Sequence, residues 1–162
     1  MAEHVEVAPP AEASVLERFL LRGEDGEIRR DFVDEIARRI EATDATFLRE
    51  VVAELHEADL GDVIAALAPD NRVRLVELTG TDFDFSALNE VDDTVREEIL
   101  EELEPETVAE GVRELESDDA VELLEALDAA DQEEILEKLP PAGFLAALCM
   151  RKSENKEDPK WE

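Results

Sequence analysis

The sequence has no tyrosine, one tryptophan, one cysteine and only four lysines. Each shortage excludes something. Aromatic residues make up 4% of the chain, so a core must be built from Leu, Val, Ile and Ala. That suits packed helices better than a β-sandwich. A lone cysteine, Cys149, leaves no internal disulfide framework and no cysteine-based zinc site. His4 and His56 are far apart in the sequence and lack ligand spacing, so a buried or capping role is expected of each. The longest apolar run, "FLAALCM" at residues 144–150, is too short for a bilayer. The chain by itself is therefore not expected to form a membrane pore. The N-terminus lacks a basic segment followed by an apolar one, so no signal peptide is expected and the cytoplasm is the expected compartment.

Positive charge is the scarcest resource. Sixteen Lys and Arg face 46 Asp and Glu, a net charge of −30. Nucleic acid is a poor partner for such a chain, because phosphate contacts need Lys and Arg. An anionic membrane surface would repel it as well. Cations and basic protein surfaces are the partners this charge would attract. Catalytic motifs are also missing: there is no G-x-S-x-G, no Gly-rich phosphate loop and no Cys–His pair. No enzyme is expected.

What is present is a 44% apolar chain with helical periodicity, enough to bury a core despite the charge. Residues 1–13, with Pro9 and Pro10, read as a flexible tail. Val15, Leu16, Phe19 and Leu20 follow at helical spacing, and two glycines in "RGEDGE" break the pattern. Ile28, Phe32, Val33, Ile36 and Ile40 then mark an amphipathic helix. Leu48, Val51, Val52 and Leu55 mark a second, and Leu60, Val63, Ile64 and Leu67 a third. Val73 to Leu78 reads as a fourth, after Pro69. "TGTDFDFSALNEVDD" (79–93) is the least regular stretch, read as a loop leading into a short helical turn.

The second half repeats. Leu103, Leu115, Leu127 and Leu139 lie twelve residues apart, Val91 extends the series backward, and Leu55 and Leu67 show the same step. Each leucine is followed by a turn, as in "LEPE" and "LESD". Pro105 fits a first helical position, where no N–H is needed. Ser117 and Asp131 fit as caps or first-turn residues. Each unit is then a helix of about two turns, too short to be stable alone. Such units must stack, and the expected fold is all-α: a right-handed superhelix of short antiparallel helix pairs, armadillo-like, over residues 14–141. Residues 142–162 read as a divergent C-terminal helix followed by a disordered polar tail that holds three of the four lysines.

The acid is localised. Residues 82–137 hold 23 Asp and Glu against Arg96 and Arg113, whereas residues 1–40 hold ten acids and six Arg. In "DDAVELLEAL" (118–127), Ala120, Leu123, Leu124 and Leu127 share one helical face, and Asp118, Glu122 and Glu125 stand opposite, in solvent. Asp118 and Glu122 are i, i+4 neighbours, close enough to serve one ion. Mg²⁺ is commonly held by one or two carboxylates with retained waters, so this pair is half of a site. The alternative for any exposed acidic pair is a solvated face without a ligand. "DFDFSALNEVDD" (82–93) resembles the start of a calcium loop at Asp82, Asp84 and Ser86, but Ala87 stands where the turn needs Gly, and Asp93 closes it instead of Glu. The other reading of the excess acid is a solubility adaptation to high salt, with no ligand at all.

The stretch "ELHEADLGDVIAALAPDNRVRLVELTG" (54–80), the serial Leu-x-Pro-Glu-type turns and "DDAVELLEAL" together resemble the N-terminal cytosolic domain of the MgtE family of magnesium channels, over residues 46–141. The resemblance implies a superhelix of short helices, followed in the family by a tandem CBS domain pair and a dimeric transmembrane pore. It implies Mg²⁺ bound between acids of this domain and the CBS pair, holding the pore closed until Mg²⁺ falls, a ligand-linked population shift. By this resemblance Asp118 and Glu122 are the metal ligands, with Asp119 adjacent. A further acid that part of the family carries falls here on Ser86. The 162 residues contain neither the CBS pair nor the pore, so the binding expected of this chain alone is weak and interfacial. The other reading is a freestanding helical-repeat protein-binding module, like those of flagellar motor switch proteins, whose acids meet a basic partner and hold no metal.

Overall fold

A computed structural model describes residues 15–139. The segments 1–14 and 140–162, with the expected tails, His4 and Cys149, lie outside the described residues. The rest is all-α. Eight helices follow in order: α1 (Arg30–Glu41), α2 (Ala45–Glu54), α3 (Glu57–Ala66), α4 (Pro69–Thr79), α5 (Asp93–Glu102), α6 (Pro105–Arg113), α7 (Ser117–Glu125) and α8 (Ala129–Lys138). Three 3-10 turns complete them: Val15–Arg18, Gly80–Asp82 and Phe85–Glu90. Among the described residues the only extended pairing is an isolated bridge between Arg22 and Ile28.

The helices begin where local chemistry tells them to. Pro69 opens α4 and Pro105 opens α6, each at a position whose N–H would have no helical partner. Asp44 accepts from Phe47 N at the start of α2, and Asp128 from Asp131 N at the start of α8. His56 has a capping role: its Nδ1 accepts from Ala58 N at 3.4 Å at the start of α3. Ser117 is the first residue of α7 rather than its cap; Glu116 holds the cap position without a side-chain hydrogen bond.

The twelve-residue leucines turn out to stand at helix ends. Leu55, Leu67, Leu103 and Leu139 are C-caps with extended backbone, following α2, α3, α5 and α8. Leu115 and Leu127 sit one residue past the caps of α6 and α7. Five of these six are buried, and Leu115 packs half-buried against the core. Each leucine therefore ends a helix and pins the following turn to the interior.

One continuous apolar cluster runs from Val15 to Leu139, with Ile36, Ile40, Leu48, Leu60, Ile64, Leu75, Leu88, Ile99, Leu123 and Leu124 almost wholly buried. The most extensive helix–helix packing is between next-but-one elements, α2 with α4 and α6 with α8. Stacking of this kind lets short helices bury a shared face that neither could bury alone. The Phe85–Glu90 turn joins the two halves, packing against both α3 and α7. Phe83 and Phe85, in the stretch read as irregular, are buried edge to face with centroids 5.4 Å apart. The apolar spacing at residues 15–20 yields only the one 3-10 turn, and Leu20 is 73% exposed. The chain beyond it turns back through the Arg22–Ile28 bridge, which takes Leu20 off the core face.

Candidate functional site

Helix α7 carries the three acids singled out by the sequence. Asp118 and Asp119 occupy its first turn, where the helix dipole favours negative charge. Asp118 and Glu122 lie on the exposed side, opposite the buried Ala120, Leu123 and Leu124. Asp119 departs from them. It is half-buried and lines a cleft of about 370 Å³ with Glu57 of α3, Asp84, Ser86, Glu114 and Glu116. Its main-chain oxygen accepts from Asn89 Nδ2 at 3.1 Å. Asp118 and Glu122 thus share a face, and Asp119 belongs to the neighbouring acidic cleft. Among the described residues, no group of three or more His, Cys, Asp or Glu is arranged to hold a metal ion by itself.

Glu122 has a neighbour the sequence reading missed. Its Oε1 lies 3.8 Å from Nη1 of Arg96 in α5. Arg96 is only 7% exposed, and it also pairs with Asp93 and reaches Asn89 Oδ1 at 3.5 Å. Its Nε finds no partner. A signal for this was present. Arg96 precedes Ile99, Leu100 and Leu103 by three, four and seven residues, so it sits on the apolar face of its helix.

The residues of the calcium-like segment are occupied locally. Asp84 Oδ1 accepts from Ser86 N at 3.0 Å and from Ser86 Oγ at 2.5 Å, capping the Phe85–Glu90 turn. Asp82 pairs loosely with Arg49 at 3.7 Å. A second, larger cleft of about 650 Å³ lies between the Gly80–Phe85 segment and α6, lined by Glu77, Glu104, Glu110, Glu114 and Arg113 together with the edges of Phe83 and Phe85.

Some acids elsewhere are engaged by basic side chains. Arg22 holds both Asp59 and Asp62 of α3, and its guanidinium is held above its ordinary pKa by Asp62 and Asp59. Lys138 of α8 reaches Glu106 of α6 at 2.7 Å, which draws the Glu106 carboxyl below its usual range. The α7 carboxylates have the oxygen donor set that a hard divalent ion takes, and three of the four, Asp118, Glu122 and Glu125, face solvent.

Among the described residues no helix is long and apolar enough to cross a membrane. The fold is similar to the crystal structure of the soluble part of a magnesium transporter, with a TM-score of 0.58 and 19% identity. That similarity covers 74% of this chain and 47% of the other, so the chain spans less than half the length of that structure. No curated protein matches the chain. The family described as the MgtE intracellular N domain matches residues 55–144, α3 through α8 and a little beyond. With more than half of its length so matched, the chain belongs to the MgtE intracellular N domain family.

Proposed function

We propose that this domain is the Mg²⁺-responsive regulatory module of an MgtE-type transporter, working on the cytosolic side. In this reading Asp118 and Glu122, with Asp119 adjacent, supply carboxylate oxygens to Mg²⁺ ions shared with a second acidic surface, that of a CBS domain pair. Mg²⁺ holds the two surfaces together and the dimeric pore closed. When Mg²⁺ falls, their like charge separates them. The stacked short helices then serve as a stiff right-handed superhelical lever that neither transports nor catalyses. The observation that carries the reading is the exposed Asp118–Glu122 pair on α7 of a domain of this family.

Ion selectivity tests it. Mg²⁺ is expected to raise the melting temperature of the chain more than Na⁺ at equal ionic strength, with the difference lost in Asp118→Ala/Glu122→Ala. Equal stabilisation by any salt would mean that charge is merely being screened, and the reading would fail.

The larger cleft favours a second reading, a freestanding protein-binding module. Four glutamates against the single Arg113, with Phe83 and Phe85 beside them, suit a basic segment with an apolar anchor. In that case Mg²⁺ has no special effect and Glu110→Gln/Glu114→Gln weakens partner binding.

A further inference from the structure

We infer that Arg96 is a built-in cation that competes with a divalent ion for Glu122 and so sets the ion concentration at which this surface responds. The inference rests on the reading that Asp118 and Glu122 take the ion. Arg96 stands on the core face of α5 with its side chain 9% exposed. A buried guanidinium needs acceptors for its N–H groups. It has Asp93, which is 83% exposed, and two long contacts, to Asn89 at 3.5 Å and to Glu122 at 3.8 Å. Its Nε is left without a partner. The guanidinium is therefore under-supplied, and Glu122 is the carboxylate that reaches it from another helix.

Glu122 is 58% exposed, so it can turn toward water or an ion. A Mg²⁺ ion on the Asp118–Glu122 face would sit near a fixed positive charge, which disfavours it. Without the ion, the same charge relieves the repulsion between Glu122 and its acidic neighbours. Arg96 thus stabilises the ion-free surface and weakens ion binding. Asn89 bridges Arg96 and the first turn of α7. Its Oδ1 faces the guanidinium while its Nδ2 donates to the main chain of Asp119, in the first turn of α7.

The test is site-specific affinity in the full chain, read by Mn²⁺ broadening of the amide NMR signals of residues 118–122 at constant ionic strength. Arg96→Gln is expected to tighten Mn²⁺ binding there by roughly tenfold, the scale of removing one nearby like charge. Arg113→Gln removes the same charge from an exposed position in the same acidic half, where salt screens it, and should change binding less than about twofold. Arg96→Gln/Glu122→Gln should bind no tighter than Glu122→Gln. If Arg96→Gln does not fold, Asp93→Asn replaces it. With Asp93 neutralised, Arg96 turns to Glu122, and Mn²⁺ binding should weaken more than in Asp92→Asn. Unchanged or weaker binding in Arg96→Gln, with Asp118→Ala/Glu122→Ala still disrupting it, overturns the competition alone. If Asp118→Ala/Glu122→Ala leaves Mn²⁺ binding intact, the metal reading falls and this inference with it.

Discussion

Gly111 of α6 faces the ring of Phe85 so closely that a methyl group added there would lie 2.2 Å from Cδ2 and 2.3 Å from Cε2. The absent side chain lets α6 close over the Phe83–Phe85 pair. Alanine is a better helix former than glycine by about 1 kcal/mol. Here that gain is outweighed, because Phe85 is 3% exposed and already packed edge-on against Phe83. Gly111→Ala should destabilise the domain by about 1–2 kcal/mol, as overpacking does. Gly111→Ala/Phe85→Leu should recover part of the loss. Urea denaturation of the three variants checks the coupling, and an additive result would show that the two residues do not press on each other.

Thr43 occupies a position that suits glycine. Its φ is 57°, and it follows α1 in a paired turn in which Asp44 N bonds to Arg39 O and Thr43 N to Ile40 O. That is the Schellman arrangement, whose left-handed residue is usually Gly. A β-branched side chain is strained there. Thr43→Gly should stabilise the chain by about 1 kcal/mol, and a lowered melting temperature would count against the strained conformation.

Arg72 closes the end of α3. Its Nε donates to Ile64 O at 3.0 Å and its Nη2 to Ala65 O at 3.2 Å, while Nη1 reaches Glu98 of α5 at 3.3 Å. Its side chain is 12% exposed. Arg72→Met keeps the apolar stem and removes the donors, leaving helix-end carbonyls short of partners. A loss of about 2 kcal/mol is expected. Glu98→Gln should cost much less, because the main-chain bonds remain. Equal losses in the two variants would mean that the ion pair, rather than the cap, carries the effect.

Acid should act on the α1–α2 corner. Arg39 and then the Phe47 amide hold the Asp44 carboxyl below its ordinary 3.8. A carboxyl lowered on folding contributes stability above its unfolded value and loses it as pH falls through the folded one. Asp44→Asn keeps a capping oxygen but not the charge. Wild type should therefore exceed Asp44→Asn in melting temperature at neutral pH, and the gap should close below about pH 4. A gap that persists into strong acid would assign the stabilisation to something other than the carboxylate.

Much of this architecture was legible because it is written in short-range spacing. The helix of Phe32, Val33, Ile36 and Ile40 lies where its period put it, with all four buried, while Ile28, read as part of it, precedes the helix in the bridge with Arg22. Pro105 starts its helix, and Asp131 lies in a first turn. The all-α class followed from scarce aromatics and recurring leucines. The exposed face of Asp118 and Glu122 was readable too, since a 3.6-residue period assigns faces without reference to a partner. At the N-terminal edge the same reasoning overreached. Val15 to Leu20 has helical spacing, but one 3-10 turn forms and Leu20 stays in water. Four or five residues of periodicity do not offset the cost of nucleating a helix.

Local order was thus determined by the sequence itself: where helices start, which face is apolar, and where the acid accumulates. These depend on contacts between residues three or four apart, and composition and period report them directly. Only the tertiary structure decided who meets whom. It set Asp119 beside Glu57 and Asp84 in one cleft, and wedged the Phe85–Glu90 turn between α3 and α7. It also brought Arg96 of α5 to Glu122, twenty-six residues further along. The direction of each turn sets these meetings, and the turn directions follow from the packing of the whole stack, which no local spacing contains.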